Sequence, residues 1–123
     1  MAVKSIFIID DEITLCRSIC ETLKSKGYQC EYSTDPKVGV ERAAAGFDLV
    51  LLDIRMPGLN GIEALRLIRK KNAAVSVVIL TGHPSAESID EAMVYGACDY
   101  LVKPFGVDQI IKMIAKLNSR GAA

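Results

Sequence analysis

Ile6-Phe7-Ile8-Ile9-Asp10-Asp11 sets four large apolar residues against an abrupt pair of acids. Four successive β-forming side chains with no polar alternation predict a strand buried on both of its faces. Such strands belong to parallel sheets covered by helices on both sides. The two acids then mark the carboxyl end of the strand.

Working outward, the same rhythm repeats. Ile13, Ile19 and Leu23 predict one side of a helix that stops at Gly27. Residues 28–32 form a short, mixed strand suited to a sheet edge. Asp35-Pro36 supplies an N-cap with proline at the first helical position, opening a helix that reaches about Ala45. A strand over 48–52 precedes a helix over Gly61–Lys71, with Ile62, Leu65 and Ile68 facing inward. A strand over 76–80 and a helix over 85–95 follow, the helix capped by Ser85 with Glu87 near its start. Asp99–Val102 is a short strand. The last helix, over 107–117, carries Ile110, Ile111, Ile114 and Leu117 as its apolar stripe. Five strands alternating with five helices predict an α/β fold with a doubly wound, five-stranded parallel sheet. The organisation is a single domain over 1–123, its core spanning about 4–117. Residues 118–123 form a small polar tail, either a free end or the stump of a linker.

Half of the 123 residues are hydrophobic and 24% are charged, the composition of a globular chain. Fifteen basic side chains balance fifteen acidic ones, which leaves no electrostatic footprint for nucleic acid or an anionic membrane. No apolar run reaches membrane-spanning length, and Met1-Ala2-Val3-Lys4 lacks the layout of a signal peptide. A soluble, cytoplasmic protein is expected. Cys16, Cys20, Cys30 and Cys98 fit neither a CxxC motif nor a local zinc site, so they read as reduced, partly buried thiols.

The informative polar residues follow the strands: Asp10 and Asp11, then Asp53, Thr81 and Lys103. In a parallel sheet all these ends lie along one edge, where open α/β folds bind ligands. Three carboxylates gathered there repel one another unless a cation sits among them. Oxygen-only ligands suit Mg²⁺. A carboxylate free to attack phosphorus is the nucleophile of aspartyl-phosphate chemistry. The charge of the transferring group then needs an ammonium and a hydroxyl as partners, and Lys103 and Thr81 supply them.

Asp10-Asp11, the segment Asp53-Ile54-Arg55-Met56-Pro57-Gly58-Leu59-Asn60-Gly61, Thr81-Gly82 and Tyr100-Leu101-Val102-Lys103-Pro104-Phe105 together resemble the receiver domains of two-component response regulators, of the chemotaxis-regulator type. The resemblance runs from about Lys4 to Leu117. It implies a flavodoxin-like sheet of order 2-1-3-4-5 and a cis Lys103-Pro104 bond. It implies Asp53 as phosphoacceptor, and Mg²⁺ (with Mn²⁺ as a substitute) held by Asp10, Asp11, Asp53 and the backbone carbonyl of Arg55. Lys103 and Thr81 would contact the phosphoryl group, and Tyr100 would swing inward as the Thr81 hydroxyl moves. The implied donor is a sensor histidine kinase or a phosphotransfer protein, with no activity beyond self-phosphorylation and autodephosphorylation.

Arg55 and His83, each two residues beyond a site residue, flank the position from which water would attack, and are expected to tune the phosphoryl lifetime. Phosphorylation is expected to switch the face formed by helix four, strand five and helix five. Glu87, Asp90 and Glu91 on that face, opposite Lys112 and Lys116, could pair across a symmetric dimer or stay solvated. Three rival readings are weaker. An aspartate-nucleophile phosphatase would place an acid where Arg55 stands. A flavin module would carry Gly, Ser or Thr after strand one, where three acids stand. A degenerate receiver that only binds partners would lack some of the chemical positions, and all are filled. No output segment such as a helix-turn-helix is present in this chain.

Overall fold

The computed structural model describes residues 2–84 and 88–122. In chain order it contains β1 (Ser5–Ile9), α1 (Ile13–Ser25), β2 (Gln29–Ser33), α2 (Pro36–Ala43), β3 (Leu49–Asp53), β4 (Arg55–Met56) and β5 (Leu59–Asn60). It continues with α3 (Gly61–Lys71), β6 (Ser76–Thr81), α4 (Ser88–Val94), β7 (Asp99–Val102) and α5 (Val107–Ala122). Five strands form one parallel sheet in the order β2-β1-β3-β6-β7, which is the expected 2-1-3-4-5 arrangement.

The unbroken apolar runs follow from this architecture. Successive strand residues point to opposite faces, and both faces are covered. Ile6 and Ile8 pack with Leu49, Leu51, Val78 and Leu80 against Cys16, Ile19 and Leu23 of α1 and Ile110 and Ile114 of α5. Phe7 and Ile9 pack with Val50, Leu52, Val77 and Ile79 against α2, α3 and α4 through Val40, Leu65, Ile68 and Ala92. Each fully buried Ile or Leu contributes on the order of 2 kcal/mol. β2, with its mixed sequence, is an edge strand as expected. Asp35 caps α2 by accepting from the backbone N–H groups of Lys37 and Val38.

Immediately after β3 the chain makes a small antiparallel ladder of β4 with β5, turning at Gly58 with φ 89°. A Cβ on Gly61 would stand 2.4 Å from the Cα of Ile54. Only glycine lets the start of α3 approach the strand end so closely. Asn60 then caps α3, its Oδ1 accepting from Ile62 N at 2.7 Å. These two glycines seat the segment that follows Asp53.

Two expectations need correction. Ile13 is 51% exposed; Cys16, Ile19, Cys20 and Leu23 form the buried stripe. Residues 118–122 are no tail, since α5 runs on to Ala122. Asn118 Oδ1 accepts from Val3 N at 2.7 Å, and Arg120 donates to the carbonyl of Cys98, so the last turns have partners. Lys116, offered as a dimer charge or a solvated one, pairs with Asp99 of the same chain at 2.7 Å while its side chain stays 53% exposed. The Ser85 cap and Glu87 lie outside the described residues. Cys16, Cys20 and Cys30 are buried and Cys98 half-buried, all as free thiols.

Candidate functional site

The carboxyl ends of the strands deliver the charged residues to one edge. Asp10, just past β1, is fully buried, and its Oδ1 accepts from Glu12 N at 3.0 Å. Asp53 closes β3 at 5% exposure, with its Oδ1 accepting from Arg55 N at 3.1 Å. Thr81 closes β6, also buried, and its Oγ1 accepts from His83 N at 3.0 Å. Lys103 follows β7, and its own N–H donates to the Thr81 carbonyl at 2.7 Å. The Lys103-Pro104 bond is cis, as expected.

The ammonium of Lys103 is the hub. Its Nζ lies 2.7 Å from Asp10 Oδ2, 3.4 Å from Asp53 Oδ2 and 3.4 Å from Glu12 Oε1. Burial alone would lower the Lys103 pKa, but hydrogen bonding and attraction to Asp10, helped by Asp53 and Glu12, hold it above the usual lysine value. Asp53 too is held above its ordinary value. Burial pushes it up to about 6; Asp10 adds to the rise, while the Arg55 N–H and Lys103 oppose it.

Asp10, Asp11 and Asp53 each offer a carboxylate oxygen within 4.8 Å of the others. Asp10 Oδ2, although close to Lys103 Nζ, is a buried oxygen that receives no well-aligned hydrogen bond. Three converging hard oxygens beside a single ammonium fit a divalent cation of the Mg²⁺ class. The backbone of Arg55 stands beside this group at the start of β4.

Tyr100 does not join the cluster. It is 39% exposed on β7. Arg55 and His83 are exposed at the rim, each tied through its backbone N–H to a buried site residue. Glu12 is the residue that sequence reasoning left without a role. It was visible only as one of three acids after the first strand, and what it touches is Lys103, just past β7 and 91 positions away.

Among the described residues, no helix is long and apolar enough to cross a membrane. Comparison with known proteins finds one family model and several relatives. The family model described as the response regulator receiver domain matches residues 6–115. The response regulator ArlR of Staphylococcus saprophyticus is 34% identical over 94% of this chain, which spans 52% of ArlR. The transcriptional regulatory protein ZraR of Escherichia coli is 35% identical over 90% of the chain, which spans 25% of ZraR. A response regulator receiver domain protein from Clostridium thermocellum superposes with TM-score 0.86 at 30% identity, covering 98% of each chain. The chemotaxis protein CheY4 of Vibrio cholerae superposes with TM-score 0.85 at 28% identity, over 94% of this chain and 98% of that one.

Proposed function

Because the chain belongs to the response regulator receiver-domain family of two-component systems, we propose that Asp53 accepts a phosphoryl group from a phosphohistidine of a sensor histidine kinase or phosphotransfer protein. The observation that carries this is the convergence of Asp53 and Lys103 within 3.4 Å beside two further carboxylates. The Asp53 carboxylate oxygen attacks phosphorus, the phosphorus–nitrogen bond of the donor breaks, and its electron pair leaves with the imidazole. The product is an acyl phosphate. Lys103 pairs with the phosphoryl oxygens, and the Thr81 hydroxyl donates to another. Asp10, Asp11, Asp53 and the Arg55 carbonyl would hold Mg²⁺ or Mn²⁺, which supplies positive charge for the phosphoryl oxygens when bound.

The new dianion pulls on Thr81 and Lys103. Thr81 leaves its bond to His83 N, and Tyr100 turns from its exposed position into the space behind the hydroxyl. The face built by α4, β7 and α5 changes with it. Asp90, Glu91 and Lys112 remain the charges of that face for a homodimer formed on phosphorylation. Arg55 and His83 set the lifetime of the acyl phosphate by shielding it from water. Equal dephosphorylation rates in wild type, Arg55→Ala and His83→Ala would remove that role.

Intact mass after incubation with a small phosphodonor and Mg²⁺ tests the central reading. One phosphoryl gain is expected in wild type, absent in Asp53→Asn and absent without the metal. No gain by the folded wild type would leave a protein-binding module that has kept the motif without the chemistry.

A further inference from the structure

Glu12 is the N-cap of α1, yet its side chain makes no capping hydrogen bond. Its carboxylate instead reaches Lys103, with Oε1 3.4 Å from Nζ. Lys103 therefore answers to three carboxylates, and they differ in kind. Asp10 and Asp53 are buried, and each is fixed by a backbone N–H from the residue two places on. The Glu12 side chain is 62% exposed, so it can swing away without stranding a buried charge. With Leu15, Lys103, Pro104 and Phe105 it also lines a cavity of 260 Å³ that opens beside the ammonium.

We propose that Glu12 is a positioning residue whose charge offsets the Lys103 ammonium and repels anionic donors, slowing phosphoryl transfer to Asp53. The role rests on the phosphoacceptor reading given above. A negative charge beside the ammonium weakens its pull on an incoming phosphoryl group and adds a direct repulsion. Both effects grow with donor charge and shrink with salt. The latch is weak because it is exposed, and an arriving dianion displaces it.

The experiment follows intact mass over time for wild type and Glu12→Gln with Mg²⁺ and two donors. Acetyl phosphate is a dianion near neutral pH, whereas phosphoramidate is a net monoanion. In each case the Asp53 oxygen attacks phosphorus, and acetate or ammonia leaves with the bonding pair. Glu12→Gln keeps the shape and the backbone N–H bond to Asp10 while removing the charge. It is expected to react about threefold faster than wild type with acetyl phosphate and less than that with phosphoramidate, both gains contracting in high salt. Equal or slower rates would overturn the role. So would an acceleration that is the same for both donors and indifferent to salt, since that is what simple loosening of Lys103 produces. A wild type that gains no mass at all removes the phosphoacceptor reading and Glu12 with it. A wild type that is labelled, beside an unchanged Glu12→Gln, removes Glu12 alone.

Discussion

The two edges of the same sheet treat their acids in opposite ways. At the amino edge, Asp48 Oδ2 accepts from the backbone N–H groups of Lys4 and Ser5 at 2.9 and 3.2 Å. Ser5 answers, its Oγ accepting from Asp48 N at 3.0 Å, and Asn118 closes the corner by accepting from Val3 N. At the carboxyl edge, Asp10, Glu12 and Asp53 share the single ammonium of Lys103. The amino edge satisfies its own polar groups and ties the chain together. The carboxyl edge holds excess negative charge that a ligand can complete, at a cost in stability.

Removing the hub should break this contrast most severely. Lys103→Ala leaves Asp10 fully buried without its counter-charge, and losing one partner of a buried pair costs about 3 kcal/mol. Urea unfolding of the metal-free protein at neutral pH measures it. A loss under about 1 kcal/mol would mean that water already reaches Asp10 and that the edge is less strained than its geometry implies.

Removing a carboxylate from the same edge should do the reverse. Asp53→Asn is expected to stabilise the metal-free protein by about 2 kcal/mol above pH 7. The sign follows from Asp53 being held up to about 6, mainly by burial. The folded state binds this proton more tightly than the unfolded chain does. Wild type therefore loses stability as pH rises from the unfolded carboxylate range through about 6, and asparagine escapes that loss. The advantage should vanish near pH 4. Thermal melts across that range check it, and a gain independent of pH would point to packing instead.

The sheet and most of the site were legible in the sequence for one physical reason. Buried parallel strands read as apolar runs, so their ends are visible, and the residues after Ile9, Leu52, Leu80 and Val102 had to share an edge. What escaped depends on contacts that no local pattern encodes. The helical spacing of Ile13 matches the buried stripe of α1, yet Ile13 is exposed while Cys16, one turn on, is buried. Residues 118–122 are polar like a linker, and they continue α5 because Val3, Cys98 and Asp99 offer partners from elsewhere in the chain. Glu12 looked like one more acid at a helix start, until β7 brought Lys103 against it.

At the amino edge a smaller effect is expected. Asp48→Ala removes an acceptor shared by two backbone N–H groups that water can partly reach, costing about 1 kcal/mol. The same denaturation measurement reads it. A loss as large as that of Lys103→Ala would erase the distinction between the edges.

The smallest effect sharpens the comparison by leaving both edges for the outer face. Lys116 Nζ lies 2.7 Å from Asp99 Oδ2, with Arg120 at 3.7 Å. Burial works against the Asp99 charge, but the Lys116 hydrogen bond, the Tyr100 N–H and the Lys116 and Arg120 charges together outweigh it and hold the carboxyl below its ordinary value. That contribution is present above the unfolded carboxylate range and lost as pH falls through the folded value. The Lys116 side chain is itself 53% exposed, so solvent screens the pair and Lys116→Ala should cost about 0.5 kcal/mol or less. Its larger consequence concerns movement. Asp99 immediately precedes Tyr100, so the pair ties the strand that carries this tyrosine to α5. Releasing the tie should leave phosphorylation of Asp53 unchanged and raise hydrogen exchange at the amides of β7. If exchange there stays at the wild-type rate, the pair is only a solvated contact, and the ordered state of this face rests on Leu101 and the apolar stripe of α5 alone.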